Sequence, residues 1–507
     1  MLAALGGALY FLGFLGFGIW PLLAVFLVPL WWSLERAPGA GAAALAGLVF
    51  GAVAYAGGYP WLWRLVDVFL GGSVALGAAL WTAHGLWFAA GYAAYAVSYR
   101  ALRRRGGPVL LAGGAPLLLV QWLQPQLFPV HAGSALAAFP LLAQSAELGG
   151  PLLLSAWVVA FNAAAFAGLG GAGPRRVRAW LAAAGLAVAL VGYGAIRAAA
   201  VAEGSAAAPS LRVGLVQAEL GLLEKRTRPA LSHERHLAQT RTLLEDGAVD
   251  LVVWPETAYG RGIRRPLPVA GAPIRAEIAV PLLFGATSVE ERGGRRRRTN
   301  AAFLVGADGM VRDAYDKIRL IPVAESVPLA GLLPGLASWF PHGQDFAPGD
   351  GVAALRLGDW RLVAPICHEV VHADLVRRMV REVEPHLLVT LANDAWFGDS
   401  HEPWIHLGLA RLRAIEHRRA LVRATNSGIS AVVDPAGALL ARSGLQTREN
   451  LRATVPLWEG LTPYARLGDW PGWLALAGCA LGLLAKPRAH GAPADAADAG
   501  SIAGAPG

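Results

Sequence analysis

Seven long apolar stretches crowd the first 200 residues of the chain, and an eighth follows a polar region that runs from about 211 to 455. They lie at roughly 2–17, 19–34, 40–60, 67–98, 108–124, 149–172, 178–200 and 468–486. Each approaches the ~20 residues that an α-helix needs to cross a bilayer, so these stretches are built for lipid as solvent. Composition agrees: 55% of the 507 residues are hydrophobic and only 16% charged, too apolar for an ordinary water-soluble enzyme. The expected organisation is a polytopic α-helical membrane domain of about eight transmembrane helices joined to a water-facing domain. Seven helices occupy 1–200, the water-facing domain 211–455 and the last helix 466–487, and an Ala/Gly/Pro-rich tail over 488–507 has no packed core. The first stretch lacks a basic start and further spans follow at once, so it reads as a retained span and not a cleaved signal.

Lys and Arg in short loops set orientation, because they favour the cytoplasmic side. Arg100, Arg103, Arg104 and Arg105 fill one loop, Arg175, Arg176 and Arg178 another, and Lys486 and Arg488 follow the last stretch. The loop at 125–148 has neither residue. Both termini are therefore expected in the cytoplasm and the polar region outside it. The net charge of +9 then reports topology, and no nucleic-acid partner is implied. Arg295, Arg296, Arg297 and Arg298 read as a solvated hairpin loop without a functional role. Asp67 and His84 are the nearest candidates for intramembrane polar function. Each reads better as a boundary or satisfied group, which weakens a transporter or scaffold reading.

Within the polar region, short runs at 211–217, 250–254, 282–287, 301–305, 361–365, 387–392 and 428–433 read as buried strands. Amphipathic stretches at 231–245, 370–381 and 404–417 read as helices, and the alternation argues for a layered α/β domain. Two cysteines, Cys367 and Cys479, make a disulfide framework improbable and leave Cys367 as a free thiol.

Three polar residues follow or separate these runs: Glu256, Lys317 and Cys367. A free thiol with a pKa near ~8.5 is only slightly ionised at neutral pH, so a carboxylate that takes its proton would activate it. An ammonium nearby would stabilise the thiolate and the oxyanion of a tetrahedral intermediate. Singly, each residue reads equally as a solvated charge or as small core filler.

Together they carry a resemblance. Trp254-Pro255-Glu256, Tyr315-Asp316-Lys317 and Pro365-Ile366-Cys367-His368-Glu369 resemble, in order and spacing, the Glu-Lys-Cys blocks of the nitrilase (carbon-nitrogen hydrolase) superfamily. Within it the chain is most similar to the apolipoprotein N-acyltransferase family. Lys317 to Pro322 with Glu325, Val327 and Pro328, the run from Asn393 to Ser400, and Arg423 to Gly428 carry that likeness. The resemblance implies an extracytoplasmic nitrilase-like αββα sandwich inserted before the last of eight transmembrane helices. It makes Cys367 the nucleophile, Glu256 the general base, Lys317 the oxyanion cation and Glu325 the carboxylate that orients it. Glu369, Trp396, His368 and Phe397 are expected to shape the site and contact substrate. His368 stands where the family commonly has tyrosine, Ala324 where glycine is usual, and Glu224-Lys225-Arg226 where a tryptophan is often found.

The implied reaction is ping-pong acyl transfer from a phospholipid, phosphatidylethanolamine, to the N-terminal amine of a diacylated apolipoprotein. It needs no cofactor and no metal. The implied setting is the bacterial inner membrane, with the catalytic domain facing the periplasm and the protein a monomer. An apolar rim of Trp396, Phe397, Trp339 and Phe340 would keep the site dry. Two rival readings remain. His368-Glu369-Val370-Val371-His372 fits the H-E-x-x-H pattern of zinc proteases, and the same fold could serve a membrane-anchored amidase.

Overall fold

A computed structural model of the protein describes residues 1–63, 73–221, 228–327 and 345–485, together with Leu332 and Gly335. The expectations at Asp67, Glu224 to Arg226, Pro328, Trp339, Phe340, Lys486, Arg488 and the 488–507 tail lie outside the described residues.

Among the described residues, four helices are long and apolar enough to cross a membrane: Ala40–Gly58, Val74–Arg104, Ala146–Gly170 and Gly173–Ala207. Leu2–Gly13, Leu27–Glu35, Val109–Leu123 and Trp470–Leu484 are apolar but shorter. The first two expected spans are shortened for a local reason. Gly16 and Gly18 take positive φ, and Pro21 starts a 3-10 turn at Trp20–Ala24 before the next helix begins. That break would leave backbone groups orphaned in an apolar setting. Asn162 repairs it, accepting from Leu27 N at 2.8 Å and donating to Leu23 O at 2.6 Å.

The helices pack through small residues. At Gly47 a methyl group would come within 2.2 Å of the Tyr92 carbonyl, and at Gly51 within 2.6 Å of Ala89 Cα, so only glycine permits this approach of Ala40–Gly58 to Val74–Arg104. Outward, Leu45, Leu86, Leu181, Val188, Ile196, Leu481 and Leu484 are exposed. An apolar surface of this extent is stable only against lipid or another apolar partner.

Among the described residues, the polar region forms two sheets. The larger has the order Glu449–Pro456, Ser210–Gln217, Leu251–Val253, Leu282–Arg292, Arg295–Val305, Met310–Asp316, Val269–Ala270, with Tyr259–Arg264 also paired to Leu282–Arg292. The smaller has the order Leu439–Arg442, Ala431–Val433, Ala420–Thr425, Leu387–Ala392, Trp360–Val363, Leu355–Leu357. Side chains alternate across the larger sheet as a pleat requires. Val213, Leu215, Leu251, Val253 and Leu283 share one core with the smaller sheet. Val216, Val252, Trp254, Leu282 and Phe284 form a second core with Leu237 and Leu243 of helix Pro229–Glu245. Helices Ala373–Val383 and Glu402–His417 pack against the smaller sheet, which completes the four layers of the expected αββα sandwich.

The hairpin loop expected at the arginine run is a strand instead. Arg295 to Arg298 are not a loop: they open strand Arg295–Val305 and pair with Val289 to Arg292, and the turn is Gly293-Gly294. Arg297 of this run pairs with Asp350 at 2.9 Å, which is a structural contact.

The helical and sheet regions meet in a seam of charge. Glu147, at the start of helix Ala146–Gly170, accepts from Arg197 Nε at 2.5 Å, Arg418 Nε at 2.7 Å and Tyr193 Oη at 2.7 Å. Gln144 Oε1 accepts from Arg418 at 2.7 Å, and Gln144 Nε2 donates to Ala436 O at 2.8 Å. The lysine- and arginine-free loop at 125–148 is thus one part of the helical region that grips the sheets.

Candidate active site

Strand ends deliver the candidate groups to one cavity, lined by Glu256, Asn300, Lys317, Glu325, Cys367, Trp396 and Phe397 among others. Glu256 follows strand Leu251–Val253 and is nearly buried. Its loop passes over Gly285 so closely that a methyl group there would meet Thr257 N at 2.5 Å and Glu256 Cα at 2.7 Å. Only glycine lets the carboxylate reach inward at this point.

Lys317 follows strand Met310–Asp316 and is fully buried. Its Nζ lies 2.8 Å from Glu325 Oε1 and 3.7 Å from Glu256 Oε1. Burial alone would lower its pKa, but the Glu325 and Glu256 carboxylates outweigh burial and raise it, so it stays an ammonium. Asn300, which no sequence signal singles out, ties the two carboxylates together. Its Nδ2 donates to Glu256 Oε1 at 2.7 Å and to Glu325 Oε1 at 2.9 Å. Glu325 Oε2 accepts from Ile321 N at 2.9 Å, which fixes the loop after Lys317.

Cys367 opens a 3-10 turn, Cys367–Val371, and its φ is 51°, in the left-handed region that a residue with a Cβ rarely enters. Such a conformation costs on the order of 1–3 kcal/mol and persists only where its surroundings impose it. Burial pushes the thiol pKa well up, with Glu256 adding to the rise and Lys317 opposing it. At rest the group is a thiol, and a base must take its proton.

Glu369 is the residue that imposes much of this geometry. Its Oε1 accepts from Tyr315 Oη at 2.8 Å, Ile318 N at 2.8 Å and Arg319 N at 3.0 Å, while Oε2 accepts from Ile366 N at 2.8 Å. One buried carboxylate thereby staples the lysine loop to the nucleophile loop. Its position in the cysteine block was legible in the sequence, but its four donors were not.

His368 Nε2 bonds the Leu127 carbonyl, and His368 Nδ1 lies 3.3 Å from His372 Nε2. His368 Nε2 and the Glu369 carboxylate are therefore already engaged, and among the described residues no third His, Cys, Asp or Glu joins His368 and His372 in a zinc ligand set. Phe128 packs edge-on against His368 at 4.9 Å and Trp61 at 4.9 Å, and Trp61 against Phe397 at 5.4 Å. These aromatics join helical region and nucleophile loop in one rim. Beyond it lies an apolar cavity bounded by Tyr10, Phe14, Tyr59, Trp61, Phe128 and Leu409. Phe128 and His406 line both cavities.

The geometry can support nucleophilic attack by a thiol, proton transfer to a carboxylate and oxyanion stabilisation by an ammonium, beside a space lined mostly by apolar side chains. Comparison with known proteins gives the same class. Residues 212–459 match the carbon-nitrogen hydrolase family, and residues 6–164 match the apolipoprotein N-acyltransferase N-terminal domain. An apolipoprotein N-acyltransferase of Azotobacter vinelandii is 33% identical over 96% of this chain and 93% of its own length. One from Rhodopseudomonas palustris is 30% identical over 97% and 96%. Among solved structures, an amidase from Nesterenkonia sp. is 20% identical with a TM-score of 0.35, covering 52% of this chain and 96% of its own.

Proposed function

The chain belongs to the apolipoprotein N-acyltransferase family, and we propose that it acylates lipoproteins through a thioester on Cys367. Glu256 takes the thiol proton and the thiolate attacks an ester carbonyl of a membrane phospholipid. Lys317, with a backbone amide, holds the oxyanion. The carbon–oxygen bond breaks, the lysophospholipid oxygen leaves with the proton from Glu256, and the acyl chain stays on sulfur. In the second half the neutral α-amine of a diacylglyceryl-cysteine attacks the thioester, Glu256 takes its proton, and the amide forms as the thiol is restored. Glu325 and Asn300 set the positions of Lys317 and Glu256, while Trp396 and Phe397 border the acyl group.

The observation that carries this reading is a buried ammonium between two carboxylates, beside a strained cysteine, in a cavity that adjoins an apolar one. Each CH₂ of an acyl chain kept from water is worth about 0.8 kcal/mol, so both substrates stay in the bilayer and the enzyme must meet them there. The apolar cavity suits the transferred chain, and phosphatidylethanolamine is the donor in this reading. The division is a seven-helix domain over 1–200, a catalytic domain over 211–455, a last span over 466–487 and a tail over 488–507. Loop charge favours cytoplasmic termini and a periplasmic catalytic domain in the inner membrane of a bacterium. The protein acts as a monomer.

Intact-mass analysis of the purified enzyme with phosphatidylethanolamine tests the first half. The expected result is one added fatty acyl mass, released by hydroxylamine and absent in Cys367→Ala. A folded, lipid-supplied enzyme that gains no mass removes the acyl-enzyme and leaves the membrane-anchored amidase as the better reading.

A further inference from the structure

Behind the nucleophile, four buried side chains that the reaction does not use converge: Asp394, Glu402, His406 and Arg423. They come from the end of strand Leu387–Ala392, from helix Glu402–His417 and from strand Ala420–Thr425. Asp394, Glu402 and His406 are close enough to suggest a cation site. Arg423 already fills that role, with Nη2 2.5 Å from Asp394 Oδ2 and 3.1 Å from His406 Nδ1. The charges balance without an ion. Burial, with Asp394 adding to it, raises Glu402 so that it stays a neutral carboxyl, while Arg423 overcomes burial to keep Asp394 ionised.

The remaining ring nitrogen points at the active site: His406 Nε2 lies 3.2 Å from the carbonyl oxygen of Cys367. Burial and Arg423 keep the ring neutral. His406 Nδ1 lies 3.2 Å from Asp394 Oδ1 and can accept from Arg423, while Nε2 faces an acceptor, the Cys367 carbonyl, so a neutral ring satisfies both ends with its proton on Nε2 and the contact is a donated hydrogen bond. It falls on the residue whose backbone is held in the left-handed region.

Resting on the thioester reading, we propose that His406 is a positioning residue. Its Nε2–H, oriented by Arg423 and Asp394, fixes the Cys367 carbonyl and so aims the thiol toward Glu256 and Lys317. Glu369 holds the Pro365–Ile366 peptide, one residue before Cys367, through Ile366 N, and His406 holds the peptide after it. With both anchors in place the sulfur has one direction of attack. With His406 gone, the thiol remains reactive but misaligned to the oxyanion donors.

The test uses the full-length enzyme and three variants. Gln places an amide N–H near the site of Nε2, Asn places one near Nδ1, and Leu places none. Single-turnover thioester formation from phosphatidylethanolamine is followed by intact mass, and alkylation of Cys367 by iodoacetamide is measured in parallel, since alkylation needs no oxyanion. Thioester formation is expected to fall about tenfold to a hundredfold in His406→Asn and His406→Leu and to stay within about fivefold in His406→Gln, at the scale set by small misalignments. Alkylation is expected to stay close to wild type in all three. Equal rates in the Asn and Gln variants, or alkylation that falls in step with acylation, overturn the positioning role. A wild-type enzyme that forms no thioester brings down the underlying reading instead, before any variant is compared.

Discussion

Glu256, Asn300, Lys317 and Glu325 come from the larger sheet and its loops, and they touch one another side chain to side chain. Cys367 comes from the smaller sheet and is held through its main chain, by His406 at its carbonyl and by Glu369 at the preceding amide. The first half stores charge and the second stores shape. A charged cluster tolerates small displacements because Coulomb energy falls slowly with distance, whereas an attack trajectory does not. Substitutions in the two halves should therefore fail differently.

The sharpest contrast is Lys317→Met. It removes the proposed oxyanion cation and leaves Glu256 and Glu325 facing each other, so thioester formation should fall by about a thousandfold in single-turnover mass analysis. A loss under tenfold would mean that the charged half is dispensable. Next is Glu369→Ala, which strands four donors and should lower unfolding free energy by about 3 kcal/mol along with activity, measured by thermal unfolding in detergent. Full stability in that variant would break the view that shape is stored here.

Asn300→Ala should cost about tenfold in rate through loosened carboxylates with little change in stability, and Asn300→Asp should cost more by adding a third negative charge. The smallest effect concerns His368. Burial holds its ring neutral, with a pKa pushed down to about 3. Because the unfolded chain binds that proton more readily, the stability tied to the neutral ring is complete above pH ~6.5 and is lost as pH falls toward about 3. His368→Phe should therefore narrow the gap in melting temperature between pH 7 and pH 5. An unchanged gap would show that the ring is neutral for another reason.

Much of this was readable in advance, and the limits have physical causes. The buried strands of the sheets announced themselves as β-branched runs because both faces are covered. Short and edge strands such as Tyr259–Arg264 and Glu449–Pro456 carry polar, half-exposed residues and blurred into loops. Strand Ala420–Thr425 is wholly buried but contains Arg423, which hid it. Glu256, Lys317, Glu325 and Cys367 were legible through their blocks. Asn300 was not, since a single polar residue after an arginine run carries no period. Asp394 and Arg423 lay inside recognisable runs without a role, and His406 lay outside them. Their meaning exists only where three elements cross. The helical region showed the opposite error: the apolar runs at 2–17 and 19–34 are real, but Gly16, Gly18 and Pro21 cut them into shorter helices.

The bond from His368 to the Leu127 carbonyl, with Phe128 packed on the same ring, makes a loop between two apolar helices part of the catalytic wall. A soluble hydrolase of this fold does not become such an enzyme by acquiring a tether. The excised domain would be a vessel missing one side, and water would compete with the amine for every acyl group it loaded. Ancestry and engineering face the same constraint: the wall and the vessel have to be inherited, or redesigned, together.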